Sequence, residues 1–121
     1  MHDISQNIES DGKTASILRN KLNAAADKVI RLDLQMSLYR NEERKASQHL
    51  ESLRRNDAEA PNIEEAENNW FNAGQMLPSA QSRLATAVNE LRLLLKKAVE
   101  YLPSDDDAMQ HAVKASNAVD L

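Results

Sequence analysis

The sequence has no cysteine, only two glycines and three prolines, and 3% aromatic residues in 121 positions. Without cysteine there are no disulfides and no thiolate metal sites, and the chain suits a reducing compartment, so a cytoplasmic location is expected. So little glycine and aromatic material leaves little for β-turns and for the aromatic pairs that hold sheets together, and strands are not expected. Nowhere do about 18 apolar residues follow one another. The first residues, MHDISQNIESDGK, carry acids and amides where a signal peptide needs a basic start and an apolar run. Neither export by that route nor a membrane partner is expected.

Positive charge is also scarce where it would count. The net charge is −4. Residues 1–55 hold ten Lys and Arg against eight Asp and Glu (+2), and residues 56–121 hold five against eleven (−6). Phosphate binding needs a concentrated positive face, so nucleic acid is an improbable partner. The length fits one domain with room for one site.

What the chain does have is helical periodicity. Residues 1–12 are polar without a period and read as a flexible N-terminal extension. A single bundle domain is expected over 13–121, with helices at about 13–55, 62–102 and 104–119. In the first, Leu18, Leu22, Ala25, Val29, Leu32, Met36, Tyr39, Glu43, Ala46, Leu50 and Leu53 follow one another at alternating steps of four and three. That is a heptad seam broken only by Glu43. At 1.5 Å per residue it makes a rod of about 60 Å that must pack along its length.

The first helix stops in Asn56-Asp57-Ala58-Glu59-Ala60-Pro61-Asn62, where Pro61 denies the preceding residue its helical geometry. Asn62 reads as the N-cap of the second helix, with Glu65 placed for a capping box. The second seam is Ile63, Ala66, Trp70, Ala73, Leu77, Ala80, Leu84, Ala87, Leu91, Leu94, Ala98 and Tyr101. It keeps register through Pro78, although an interior proline costs about 3 kcal/mol. Leu77 would be a poor N-cap, and burying Leu77, Leu84 and Leu91 together gains about 1.5–3 kcal/mol each. A helix kinked, or locally broken, at Pro78 is therefore expected, with Gly74 giving room to bend. Pro103-Ser104 makes the second turn, Ser104 reads as the next N-cap, and Asp105, Asp106 and Asp107 face the helix dipole. Ala108, Ala112, Ala115 and Val119 form the stripe of the short third helix. The fold class is all-α, an elongated, coiled-coil-like antiparallel three-helix bundle.

Met76-Leu77-Pro78-Ser79-Ala80-Gln81-Ser82-Arg83-Leu84 is similar to a stretch of the tubulin-binding cofactor A family: two apolar residues, a mid-helix proline, a polar residue, a small residue, Gln, then Arg-Leu. Val29-Ile30-Arg31-Leu32, Tyr39, Leu53-Arg54, Asp57-Ala58-Glu59, Asn62-Ile63, Ala87 and Leu91 extend the resemblance over Leu22 to Leu121. Departures are Ile30, Leu34 and Leu38 where charges or a single apolar residue would stand, Trp70-Phe71 for an aliphatic and polar pair, and Ala58 where glycine is common. The resemblance implies a three-helix chaperone that captures β-tubulin folding intermediates after chaperonin release. They then pass to other tubulin-folding cofactors for heterodimer assembly, in association with the cytoskeleton. It implies no cofactor, metal, small-molecule substrate or catalytic step.

The residues alone also carry no enzyme motif. His2, His49 and His111 are far apart in sequence, and no glycine-rich phosphate loop occurs. Three consecutive aspartates point in different directions on a helix and cannot converge on one ion. Trp70, among small neighbours on its seam, reads as a core residue. Ile30, Leu34 and Leu38, off the seam, read as the side packed by the third helix rather than as an exposed patch. Arg40, Arg44, Lys45, Arg54 and Arg55 could steer an acidic client, while Glu42, Glu43 and Glu51 offer them i,i+4 pairs.

The most informative surface is a charge desert. From Asn68 to Asn89 only Arg83 is charged. A neutral amide and hydroxyl face is less costly to dehydrate than a charged one, and interface centres are depleted in charge. The candidate partner-binding residues are Phe71, Asn72, Gln75, Ser79, Ser82, Arg83, Thr86 and Asn89. The rival to a tubulin-folding role is a spectrin-like or adaptor helical bundle, which shares the length and the heptads but does not need the Pro78 to Leu84 stretch.

Overall fold

The computed structural model describes residues 4–119, with side chains described from residue 12 onward. It contains three helices, α1 (Ile4–Arg55), α2 (Ala60–Ala98) and α3 (Asp107–Ala118). No strand occurs among the described residues. The chain forms two compact units, one of Met1–Arg31 with Ala85–Leu121 and one of Leu32–Leu84. Helices α1 and α2 contribute to both units, and α3 to the first alone.

The first unit holds most of the core. Leu18, Leu22, Ala26 and Val29 of α1, Ala87, Val88, Leu91 and Ala98 of α2, and Ala108, Met109, Ala112 and Ala115 of α3 are all buried. The alanines of α3 let that helix lie close against its partners, and Leu22 and Leu91 are fully enclosed, each worth about 1.5–3 kcal/mol. Ser116, a polar side chain buried in this unit, accepts a hydrogen bond from Arg92 Nε at 3.2 Å, so its burial leaves no unmet hydroxyl. His111 Nε2 lies 2.9 Å from Asp27 Oδ1.

The second unit is a two-helix pair with a thinner core. Met36 and Leu50 of α1 and Ala66, Ala80 and Leu84 of α2 are buried, while Leu32, Tyr39, Ala46, Leu53, Ile63, Ala73 and Leu77 are half-buried. With only two helices, each seam residue is covered from one side.

Helix boundaries differ from the expected ones for local reasons. Residues 1–3 of the expected flexible extension lie outside the described residues, and from Ile4 the backbone is already α1 rather than starting near Lys13. Extending an existing helix needs only one hydrogen bond per residue fixed, so a polar stretch can follow the register of its neighbour. α1 ends in a Schellman arrangement: Ala58 N–H donates to the Leu53 carbonyl at 3.0 Å and Asp57 N–H to the Arg54 carbonyl at 3.4 Å. Asp57 takes the left-handed backbone, φ 52, that this ending requires.

α2 begins at Ala60 rather than at residue 62 with Asn62 as N-cap. The Glu59 carbonyl accepts from the backbone N–H groups of Asn62 (3.0 Å) and Ile63 (3.2 Å), which puts Pro61 in the first turn, where a missing N–H is no loss. The same helix ends at Ala98 and not at 102, because Pro103 bars helical geometry at Leu102. The Ala98 carbonyl takes both Tyr101 N–H (2.9 Å) and Leu102 N–H (2.8 Å). Leu102 is buried in consequence, while Tyr101, placed on the seam by spacing, is 42% exposed.

The cap of α3 is Asp106, not Ser104. A turn closes from Asp106 N–H to the Pro103 carbonyl at 3.1 Å, and Asp106 Oδ1 then accepts from Ala108 N–H at 3.0 Å. Its Oδ2 meets Arg19 Nε of α1 at 2.8 Å. The Arg19 hydrogen bond, followed by those from the backbone, holds the Asp106 carboxyl below the ordinary aspartate range. One residue thus starts α3 and ties it to α1.

α2 runs unbroken from Ala60 to Ala98 with Pro78 inside it. Replacing Pro78 restores the hydrogen bond to the Gly74 carbonyl and removes a ring clash. Pro78→Ala is expected to stabilise the protein by about 1–3 kcal/mol in chemical denaturation; a neutral or lower stability would contradict a helix continuous through residue 78. Asp106 makes stability depend on pH. A carboxyl held low when folded binds its proton more readily in the unfolded chain, so its contribution is complete above the ordinary value and fades as pH falls through the folded one. Asp106→Asn keeps a capping oxygen and loses the charge. Its Tm deficit should be full at neutral pH and shrink below about pH 4.

Candidate functional site

The second unit contains the one place where the α1 seam carries a carboxylate. Glu43 occupies a seam position and is half-buried, opposite Trp70 of α2, whose indole Nε1 donates to Glu43 Oε1 at 2.7 Å. The bond links α1 to α2 across their seam.

This pairing corrects the placement of Trp70. Trp70 is 42% exposed rather than a core residue, because its ring end is drawn to a carboxylate that itself must stay near water. With Phe71, Gly74, Gln75 and Leu77 the two line a surface pocket of about 280 Å³. Phe71 is 63% exposed. Gly74 is not kept by lack of space, since a Cβ there would meet only Glu43 Cγ at 3.9 Å, an ordinary contact.

The candidate partner-binding residues Phe71, Asn72, Gln75, Ser79, Ser82, Arg83, Thr86 and Asn89 are all exposed on α2. Phe71 and Gln75 line the pocket. Asn72, Ser79, Ser82 and Arg83 lie on the same helix outside it, and Arg83 Nε reaches back to the Ser79 carbonyl at 3.4 Å. Thr86 and Asn89 belong to the other unit. Spacing alone missed Glu43 and Trp70 as neighbours of this surface. The available signal was the single charged seam position, which needed a polar partner on the facing helix.

The apolar stripe on α1 is also placed differently from expectation. Leu34 and Leu38 are each 62% exposed, and Ile30 is exposed as well, so the third helix does not cover them. Leu34 and Leu38 fall in the two-helix unit, to which α3 does not contribute. A second groove in this unit is lined by His49, Leu53, Asn62, Glu65, Ala66 and Asn69.

Of the basic residues near the end of α1, Arg54 pairs with Glu67 of α2 at 2.9 Å and Arg44 donates to Asn41 Oδ1 at 2.6 Å. Among the described residues, Glu42, Glu43 and Glu51 enter no ion pair, so the i,i+4 pairs open to them do not form. Among the described residues no group of three or more His, Asp or Glu is placed to hold a metal ion. Among the same residues no helix is long and apolar enough to cross a membrane.

The family profile described as tubulin binding cofactor A matches residues 18–116. Among solved structures, the chain is similar to the crystal structure of tubulin folding cofactor A from Arabidopsis thaliana, with a TM-score of 0.79 and 16% sequence identity. The likeness covers 85% of this chain and 95% of that one, and at that identity it is a likeness of fold. No curated protein sequence matches the chain.

Glu43 at a seam position gives up apolar contact that a leucine would make. Glu43→Leu should therefore raise stability to chemical denaturation by about 0.5–1.5 kcal/mol while the Trp70 indole turns to water. A loss of stability would mean that the Trp70 hydrogen bond outweighs seam packing.

Proposed function

The chain belongs to the tubulin binding cofactor A family, and on that premise we propose that it binds β-tubulin folding intermediates after their release from chaperonin and holds them for heterodimer assembly. The family match over residues 18–116 carries the reading. Members of this family are tubulin-folding cofactors and not a known enzyme family. The action is stoichiometric: binding a folding intermediate lowers the concentration of its aggregation-prone free form by mass action. Other tubulin-folding cofactors receive the client afterwards, and the work is done in the cytoplasm beside the microtubule cytoskeleton.

The client lies on the charge-poor stretch of α2, from Phe71 and Asn72 through Gln75, Ser79, Ser82 and Arg83 to Thr86 and Asn89. Support comes from the exposure of all eight of these residues on one helix and from a stretch, Asn68 to Asn89, with one charge. Amides and hydroxyls lose less on dehydration than ions do, and Phe71 offers a large apolar contact within them.

The test is to incubate the protein with β-tubulin released from chaperonin and, in parallel, with α-tubulin. Selective capture of β-tubulin is expected. The Phe71→Ala, Arg83→Ala double variant should bind roughly tenfold or more weakly with unchanged helicity. Capture of neither tubulin would end the folding-cofactor reading, and full affinity in the double variant would move the client to another face.

A further inference from the structure

The pocket of Glu43, Trp70, Phe71, Gly74, Gln75 and Leu77 joins three features that together select one kind of guest. Its walls include two exposed aromatic side chains. Its charge comes from one carboxylate, and among the described residues no ion pair includes Glu43. The indole takes one acceptor position on Glu43 Oε1, whereas a carboxylate offers about four. The facing stretch of α2, Asn68 to Asn89, supplies no positive residue before Arg83.

We propose that this pocket receives an arginine side chain of the client protein, the guanidinium stacking on the Trp70 indole and donating to the open oxygen of Glu43. Arginine fits better than lysine because its planar, weakly hydrated group both stacks on aromatic faces and donates in a fork to a carboxylate. Gly74 and Gln75 also line the pocket, the first without a side chain and the second with an amide. The hydrogen bond between Trp70 and Glu43 sets the indole and the carboxylate before the guest arrives, which lowers the ordering cost of binding. That the client is tubulin rests on the reading given under Proposed function; that the guest is a guanidinium rests on the pocket alone.

The chain has a single tryptophan, so one indole N–H resonance reports on this pocket. Acetyl-Gly-Arg-Gly-amide should shift that resonance saturably, and the citrulline counterpart, neutral and nearly the same shape, should shift it several-fold less at matched ionic strength. Glu43→Gln, checked for unchanged helicity and melting, should erase the difference between the two peptides and weaken tubulin capture roughly tenfold. Equal responses to arginine and citrulline, or no response to either, would overturn the arginine pocket whatever tubulin does. Wild-type affinity for tubulin in Glu43→Gln would overturn its role in holding the client. An arginine-specific indole shift from a protein that captures no tubulin would support the pocket while removing the tubulin reading.

Discussion

Apolar side chains recurring every three and four residues on α1 and α2 must leave water together, and each helix can do so only by lying along the other. That requirement governs both units of the protein. In the unit of Met1–Arg31 with Ala85–Leu121, a third helix adds a second wall, and Leu22, Val29, Val88 and Leu91 become fully buried. In the unit of Leu32–Leu84 the same type of seam has only two helices, and its residues are mostly half-buried. Burial is therefore uneven along one continuous pattern. In the less-covered unit Leu34, Leu38, Trp70, Phe71 and Met76 keep apolar surface open to a partner.

The seams and the number of helices were legible in the sequence because they follow from spacing, which a one-dimensional pattern records fully. Leu18, Leu22, Val29, Met36 and Leu50 on α1 and Ala66, Ala80, Leu84, Ala87, Leu91 and Ala98 on α2 all fall where the period places them and all are buried. Helix ends were less legible because several residues compete for each cap. Ser104 and Asp106 are both good N-caps; a cross-helix contact from Arg19, invisible to local sequence, accompanies the choice of Asp106. Pro61 could stand before α2 or in its first turn, and local rules favour neither strongly.

What spacing could not give was coverage. The seam marks the side of a helix that faces its first partner, and says nothing of where a third helix ends. Leu34 and Leu38 looked like residues awaiting α3, yet α3 belongs to the other unit and they stay exposed. Trp70 stood on the seam among alanines and read as core filling; its ring is instead held by Glu43 at the edge of the pair. For the proposed client surface, sequence gave the absence of charge but not the pocket, since the pocket depends on a contact between residues 27 positions apart.

Three residues of the two-helix unit break a local rule: Glu43 in an apolar seam, Gly74 in a helix interior and Pro78 in the same helix. Each costs stability, about 1 kcal/mol for the glycine and about 3 for the proline. Space does not explain Gly74, as alanine would fit there at ordinary contact distance. Glu43 and Gly74 line one pocket with the exposed Trp70 and Phe71, and Pro78 comes directly after its last lining residue, Leu77. Scattered violations would read as drift in a protein with stability to spare. Violations gathered at one surface, where a more regular sequence would pack better, are expected where the chain is kept for binding rather than for its own stability.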